Sequence, residues 1–210
     1  MSILIGFGHK AQQGKDLVAQ FIIDAFGDKY DIRRYSFADA LKEEVAGHEE
    51  EIASTYGIPL TQDSTGKFRN VLQFWGEHKR SENPDYWIMR LASKVDLENP
   101  KVALIPDLRY KNEFEFIRDR KGYCVKVERF KDGHILLASD MDHSHLSETS
   151  LDYETEWWAT IRCTDGDIKD LRSSAIELFN MIRDDLDVIG QYIRYLKENG
   201  RDTTEIEAQL

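Results

Sequence analysis

The first eighteen residues constrain this chain more than any other stretch. A short apolar run, Ile3-Leu-Ile-Gly-Phe7, ends in a glycine turn, and the pair Gly14-Lys15 then opens an amphipathic segment. Leu17, Val18, Phe21, Ile22 and Ala25 recur at helical spacing from there. Strand, glycine-bearing loop and helix N-terminus are the layout of a phosphate-binding P-loop. Its backbone N–H groups and the helix end supply partial positive charge, and a lysine adds a full one. An open α/β architecture built around a central strand follows from it.

The spacing departs from the common G-x-x-x-x-G-K-[ST] form. Counting back from Gly14 puts His9 in the first position, with Gly8 one residue further out, and Asp16 replaces the hydroxyl residue that usually approaches Mg²⁺. A rival pattern uses the same residues. Gly6-Phe-Gly8-His-Lys-Ala11 fits G-x-G-x-x-[GA], the dinucleotide turn of a Rossmann unit. That turn opens its helix directly after the second glycine, whereas the periodic segment here begins near Lys15. The P-loop reading also gives Gly14 and Lys15 a role.

The chain has 210 residues, room for one α/β domain with a substantial core. It lacks any apolar run of membrane-spanning length, and no signal peptide precedes the first strand, so a cytoplasmic protein is expected. A formal net charge of −11 argues against a broad nucleic-acid surface, because such binding rests on neutralising phosphates. Cys124 and Cys163, each in a short apolar run, read as buried reduced thiols.

Strands and helices alternate, predicting a three-layer α/β/α fold with a mostly parallel sheet. Strands are expected over 3–7, 32–37, 102–106, 123–128 and 158–163, and helices over 15–26, 38–50, 68–80, 85–95, 112–120 and 168–183, with another over 187–199. Residues 1–186 would form the P-loop domain, with a block of helices over 38–98 and an irregular stretch, read as a closing loop, over 131–154, followed by a C-terminal helix and tail over 187–210. Ligands of open α/β sheets sit beyond the carboxyl ends of strands.

Three further stretches carry chemistry. Val102-Ala-Leu-Ile-Pro-Asp107-Leu-Arg109 is an apolar strand ending in a carboxylate with an arginine two residues on. Asp107 is placed like a second metal-organising acid, and Arg109 like a phosphate clamp; Asn112 is the expected N-cap of the next helix. Asp140-Met-Asp142-His143-Ser-His145-Leu-Ser147-Glu148-Thr149 is polar without helical period and reads as an ordered loop near the nucleotide. Phe68-Arg69 through Arg80 is amphipathic with a basic end, so Arg69, Lys79 and Arg80 suggest an acceptor-phosphate pocket. Trp75 and Trp87 read as core or as stacking platforms.

Taken in order, these motifs resemble those of the bacteriophage-type deoxynucleoside monophosphate kinases, over about residues 3 to 183. They are Gly8-His-Lys-Ala-Gln-Gln-Gly-Lys-Asp16; Ser36-Phe-Ala-Asp-Ala-Leu-Lys42; Leu72-Gln-Phe-Trp-Gly-Glu77 with Arg80 and Pro84-Asp-Tyr-Trp87; Asp107-Leu-Arg-Tyr-Lys-Asn-Glu113; and His145-Leu-Ser-Glu148 with Leu151-Asp152. The family's loop also tends to read Gly-Lys-Asp. The resemblance implies ATP and Mg²⁺ as cofactors and nucleotides as partners, in a host cytoplasm, with no membrane and no stable nucleic-acid complex; a homodimer is compatible with it. Gly8, His9, Gln13, Gly14 and Lys15 would hold ATP, with Lys15 on the β- and γ-phosphates. Asp16 and Asp107 would place the metal, and Lys15, Asp107 and Arg109 would be catalytic. Asp39, Lys42, Arg69, Glu77, Arg80 and Trp87 would bind the acceptor, joined by Glu113 and by His145, Ser147 and Glu148 of the closing loop. Thr164 falls in the turn that would contact adenine, where the family commonly has asparagine; His9 is the other departure.

Two other functions fit parts of the same pattern. One is a P-loop kinase acting on a modified base in phage DNA, which the acidic charge disfavours. The other is a nucleotide-binding regulatory protein without turnover, which would have no need of both Lys15 and Asp107.

Overall fold

The computed structural model describes residues 2–63, 66–137 and 144–204, with side chains except at 185–192 and 194. In chain order the elements are β1 (Ile3–Gly8), α1 (Lys15–Phe26), β2 (Ile32–Arg34), α2 (Phe37–Val45), α3 (Glu49–Tyr56), α4 (Arg69–Glu82), α5 (Tyr86–Glu98), β3 (Val102–Leu108), α6 (Lys111–Asp119), β4 (Tyr123–Lys131), β5 (His134–Ile135), α7 (Leu146–Thr149), β6 (Ala159–Thr164) and α8 (Ile168–Glu198). They form two compact units, one of residues 1–34 and 100–210, the other Tyr35–Asn99.

The first unit is a three-layer α/β/α sandwich. Its parallel strands lie in the order β2-β3-β1-β4-β6, and β5 pairs antiparallel with the end of β4. One sheet face presents Ile5, Phe7, Leu104, Val125, Val127 and Ile161 to Val18, Ala19 and Ile22 of α1 and to Leu171, Ala175, Leu178 and Ile182 of α8. The other face is covered by α6, so closely that a Cβ on Gly6 would lie 2.4 Å from Ile117 Cδ1. Strands buried on both faces read as continuous apolar runs, which is how β1 and β3 stand out in the sequence. Each fully buried Val, Ile or Leu contributes about 1.5–3 kcal/mol, so β1 is rigidly placed and the loop leaving it starts from a fixed point. That loop sits between β3 and β4, where the connections diverge to opposite sides of β1, the position at which open sheets bind ligands.

The pairing of β1 with β3 is irregular between Gly6 and Gly8: Ile105 pairs with Gly6 and Leu108 with Gly8, so Pro106 and Asp107 together oppose Phe7. Proline has no N–H to give a central ladder and is accommodated at such a bulge. The bulge falls at Asp107 and re-aims the end of β3.

Several boundaries differ from the sequence expectation. The second strand stops at Arg34 rather than 37, because Ser36 caps α2, its hydroxyl accepting from the Ala38 N–H at 3.2 Å. The helix expected over 38–50 is two helices, broken where Gly47 takes φ 81°. The helices expected over 168–183 and 187–199 are one, α8; residues 183–186 contain neither glycine nor proline to stop it. The N-cap of α6 is Tyr110, and Asn112 lies inside the helix. The stretch 131–154, read as irregular, contains β5 and α7. Cys124 and Cys163 are free, buried and in strands as expected, and burial pushes the Cys124 thiol up to about 12. Among the described residues no helix is long and apolar enough to cross a membrane.

In the second unit, Val45, Ile52, Ala53 and Val71 form a small core with Leu41, Phe68, Leu72 and Trp75 packed on it.

Candidate active site

The loop from Gly8 to Lys15 has the backbone that an anion cradle needs. α1 begins at Lys15, six residues later than the dinucleotide turn would start it, with Gly14 as N-cap in the left-handed region (φ 96°, ψ 12°). His9 and Gln12 also take positive φ, at 88° and 57°. Gly8 is required by packing, since a Cβ there would lie 2.6 Å from the Trp157 ring.

Lys15 is buried inside the loop it closes. Its ammonium donates to the His9 carbonyl at 3.2 Å and to the Lys10 carbonyl. Burial, with the Arg109 guanidinium nearby, pushes its pKa down to about 7 against the pull of Glu148, Asp16 and Asp107. Arg109, Glu148, Asp16 and Asp107, which sequence reasoning draws from three separate segments, therefore all act on one ammonium.

Two carboxylates organise the rest. Glu113 is buried at the start of α6, where its Oε2 accepts from the N–H groups of Arg109 (2.9 Å) and Tyr110 (3.1 Å). The sequence expectation assigns Glu113 to substrate; the structure uses it to cap α6 and to fix the backbone that presents Arg109. Glu148 is equally buried. One carboxylate oxygen accepts from the Ala11 N–H at 2.8 Å, and the other accepts from Arg109 Nη1.

Lys10, which sequence reasoning missed, fastens the same segment: its ammonium donates to the Glu148 carbonyl at 2.7 Å and pairs with Asp152. A second cation inside a phosphate loop was the available signal for it. His145 caps α7, its Nδ1 accepting from the Ser147 N–H at 3.2 Å and lying 2.9 Å from the Ser147 hydroxyl. Residues 144–152 thus lie directly on the phosphate loop. Asp140, Asp142 and His143 of the same motif lie outside the described residues.

Gln13 is fully buried. Its Oε1 accepts from the Arg129 N–H at 2.6 Å, and its Nε2 donates to the carbonyls of Leu136 (2.6 Å) and Ala11 (3.2 Å). β6 holds one edge of β4 as far as Phe130, so β5 lies on the edge that β1 vacates, and Gln13 splices the loop into that gap. Its side chain is therefore an anchor of the loop rather than a nucleotide contact.

His9 is buried, and its Nδ1 has no hydrogen-bond partner among the described residues. Burial, then Lys126 and Lys10 nearby, pushes its imidazole down to about 4. Below it, Glu128 is buried between Lys126 (2.8 Å) and Arg162 (3.1 Å), whose hydrogen bonds keep it ionised against the cost of burial.

Asp16 is exposed and accepts from Arg34 Nη2 at 2.9 Å. Asp107 lies half-buried at the end of β3. Mg²⁺ characteristically takes one or two carboxylates and completes its shell with water and substrate phosphates. Asp16 and Asp107, the two acids acting on Lys15 besides Glu148, fit that requirement. Among the described residues no group of three or more His, Cys, Asp or Glu is placed to hold a metal on its own. Thr164 is exposed at the end of β6, with its carbonyl accepting from the Asp167 N–H at 3.0 Å.

The remaining expected residues belong to the second unit. Asp39 and Lys42 pair with each other at 3.2 Å on α2, and Arg69 pairs with Asp63 at 3.4 Å. Glu77 is exposed on α4, and Arg80 is half-buried one turn beyond Gly76. Trp87 is 2% exposed and its indole N–H donates to the Gly76 carbonyl at 3.1 Å, so its ring is core and offers no open face to a base.

No family model matches the chain, and no curated protein matches it. Among solved structures it is similar to an unliganded sugar kinase from Janibacter sp. HTCC2649, with TM-score 0.44 and 16% identity over 86% of this chain and 95% of that one. It is also similar to a gluconokinase from Sinorhizobium meliloti 1021, with TM-score 0.36 and 17% identity over 87% and 95%. Likenesses this loose carry no argument about substrate or chemistry.

Proposed function

We propose that this chain is a P-loop kinase that transfers the γ-phosphoryl group of ATP to the phosphate of a (deoxy)nucleoside monophosphate. The observation that carries phosphotransfer is the convergence of Lys15, Asp16, Asp107, Arg109 and Glu148 on the loop that opens α1. The acceptor class rests on the ordered motifs of the sequence and on the residues they mark in the second unit.

Phosphoryl transfer asks little covalent chemistry of the protein; it asks for alignment and for neutralisation of spreading charge. The loop amides and the α1 N-terminus would bind the phosphate chain, and Lys15 would sit against its terminal group. Arg109, held from behind by Glu113, would grip the oxygens that gain charge. When bound, Mg²⁺ supplies Lewis-acid neutralisation between the phosphates, and Asp16 and Asp107 would hold it. Asp39, Lys42, Arg69, Glu77 and Arg80 would receive the acceptor.

The test is a panel of nucleoside and deoxynucleoside monophosphates with ATP and Mg²⁺, read by coupled ADP release. Acceptor-dependent ADP with at least one monophosphate is expected. ADP release that no monophosphate stimulates overturns the acceptor, and failure to bind ATP overturns the kinase reading altogether.

A further inference from the structure

The loop that would bind phosphate already holds an anion, and it is the chain's own. Glu148 lies 137 residues from Ala11, yet its carboxylate accepts the Ala11 N–H at 2.8 Å from within the segment Gly8 to Lys15. Its second oxygen takes the Arg109 guanidinium, and its charge is the strongest of those that pull on the Lys15 ammonium. Glu148 is 4% exposed, so these contacts replace water around a full negative charge. A buried carboxylate persists only where donors and cations offset its desolvation, and here the donors are an amide of the loop and the phosphate clamp, with the charge of the loop lysine acting beside them.

We propose that Glu148 is a resident anion of the nucleotide site, so that a polyphosphate enters by displacing a carboxylate rather than by filling an open cradle. The inference rests on the P-loop reading above. A terminal phosphate and the Glu148 carboxylate want the same amide and the same guanidinium, and like charges cannot share them at close range. Displacement must also strain what holds Glu148 in place. Lys10 binds its main-chain carbonyl and Asp152, and Ser150 Oγ accepts from the Lys111 N–H at 3.1 Å. Segment 146–152 is therefore the element that yields, and its release would couple nucleotide arrival to a change beside the clamp. When no ligand is present the carboxylate offsets the repulsion between Lys15 and Arg109 that lowers the lysine's pKa.

The experiment uses the full chain with β,γ-imido-ATP and Mg²⁺. Calorimetry compares the wild type with Glu148→Gln, which keeps an acceptor for Ala11 but removes the competing charge. Hydrogen exchange on the unmodified chain follows segment 146–152, and it decides alone if the variant does not fold. The expected results are about tenfold tighter binding by Glu148→Gln and faster exchange over 146–152 in the saturated wild type. Binding by the wild type with no gain in the variant, or with undiminished protection of 146–152, overturns the displacement and leaves the nucleotide site standing. No binding by either protein overturns the nucleotide reading and the displacement together.

Discussion

The loop at Gly8–Lys15 and the helices of Tyr35–Asn99 are both dense in charge, but they hold it differently. Around the loop, buried charged and polar groups are joined by contacts that span the chain, Ala11 to Glu148 and Gln13 to Leu136, with the Lys10–Asp152 pair nearer the surface. In the second unit many lie on helix faces and pair one turn along their own helix, as Asp39 does with Lys42 and Lys79 with Glu82, while Lys94 and Arg90 of α5 reach Glu43 and Glu44 of α2. Buried charge needs its partners, because removing one leaves the other desolvated and alone. Exposed pairs are worth about 0–1 kcal/mol and can rearrange around a ligand at little cost. The first arrangement suits a site that must be in one geometry before substrate arrives. The second suits a surface whose side chains are free to change partners.

The largest effect should come from Lys15. Lys15→Met removes the one cation buried inside the loop, and turnover should fall by about 10²–10³-fold, the loss typical of removing one preorganised donor to developing charge. The fold should survive, because burial already disfavours that ammonium. Steady-state kinetics and circular dichroism on the same preparation check both. Near wild-type turnover would remove the lysine from the mechanism, and with it the contrast between the two regions.

Gln13 comes next, and it tests rigidity without touching charge. Gln13→Ala empties a fully buried place and takes the partner from the half-buried Arg129 N–H and Leu136 carbonyl. A cost of about 2–4 kcal/mol is expected from two lost partners and the cavity, measured by urea unfolding. A loss below about 1 kcal/mol would mean that the loop is not anchored through this residue.

Acidity and alkalinity probe the same burial in opposite directions. His9 is lowered in the fold to about 4 from an ordinary 6.5, so the unfolded chain takes its proton first. Stability from this group is whole above pH 6.5 and is lost as pH falls toward 4, on the order of 3 kcal/mol. Lys15 is lowered from 10.5 to about 7, so between those values the unfolded chain again holds the extra proton, and stability rises with pH across that window. Below pH 7 the ammonium is charged in both states and its burial cost is fully present. A bound polyphosphate favours the charged form, so binding above pH 7 should take up a proton, seen as a dependence of calorimetric enthalpy on the buffer's ionisation enthalpy. His9→Asn should flatten the acid limb of thermal stability and leave the alkaline limb unchanged.

The contrast also explains what the sequence revealed. The strand-loop-helix at the start was legible because both of its signals are local: an apolar run buried on two faces, and a glycine at the helix start. Lys15 fell where spacing put it, and the start of α1 separated the two glycine-rich readings. The Pro106 bulge was not legible, since it depends on the partner strand and not on β3 alone. The same holds for Gln13 and Glu113, whose polar side chains looked available for ligand. Nothing in their neighbourhoods shows that Arg129, Leu136, Arg109 and Tyr110 will need them. Trp87 belonged to the core for a reason its spacing allowed but could not decide against a stacking role. Long-range satisfaction of buried polar groups is the part of a fold that a single sequence states least directly.

The smallest expected effect is on the other side of the comparison. Asp39→Asn breaks an exposed pair with Lys42 at 3.2 Å, and stability should move by less than about 0.5 kcal/mol. If α2 receives the acceptor, the same change should raise KM for the monophosphate several-fold while leaving KM for ATP in place. Thermal melts and kinetics with each substrate varied in turn separate the two quantities. A large loss of stability would show that charge in this unit is structural after all. An unchanged acceptor KM would remove Asp39 from the acceptor surface, because a half-buried carboxylate whose neutralisation alters neither stability nor binding contributes to neither.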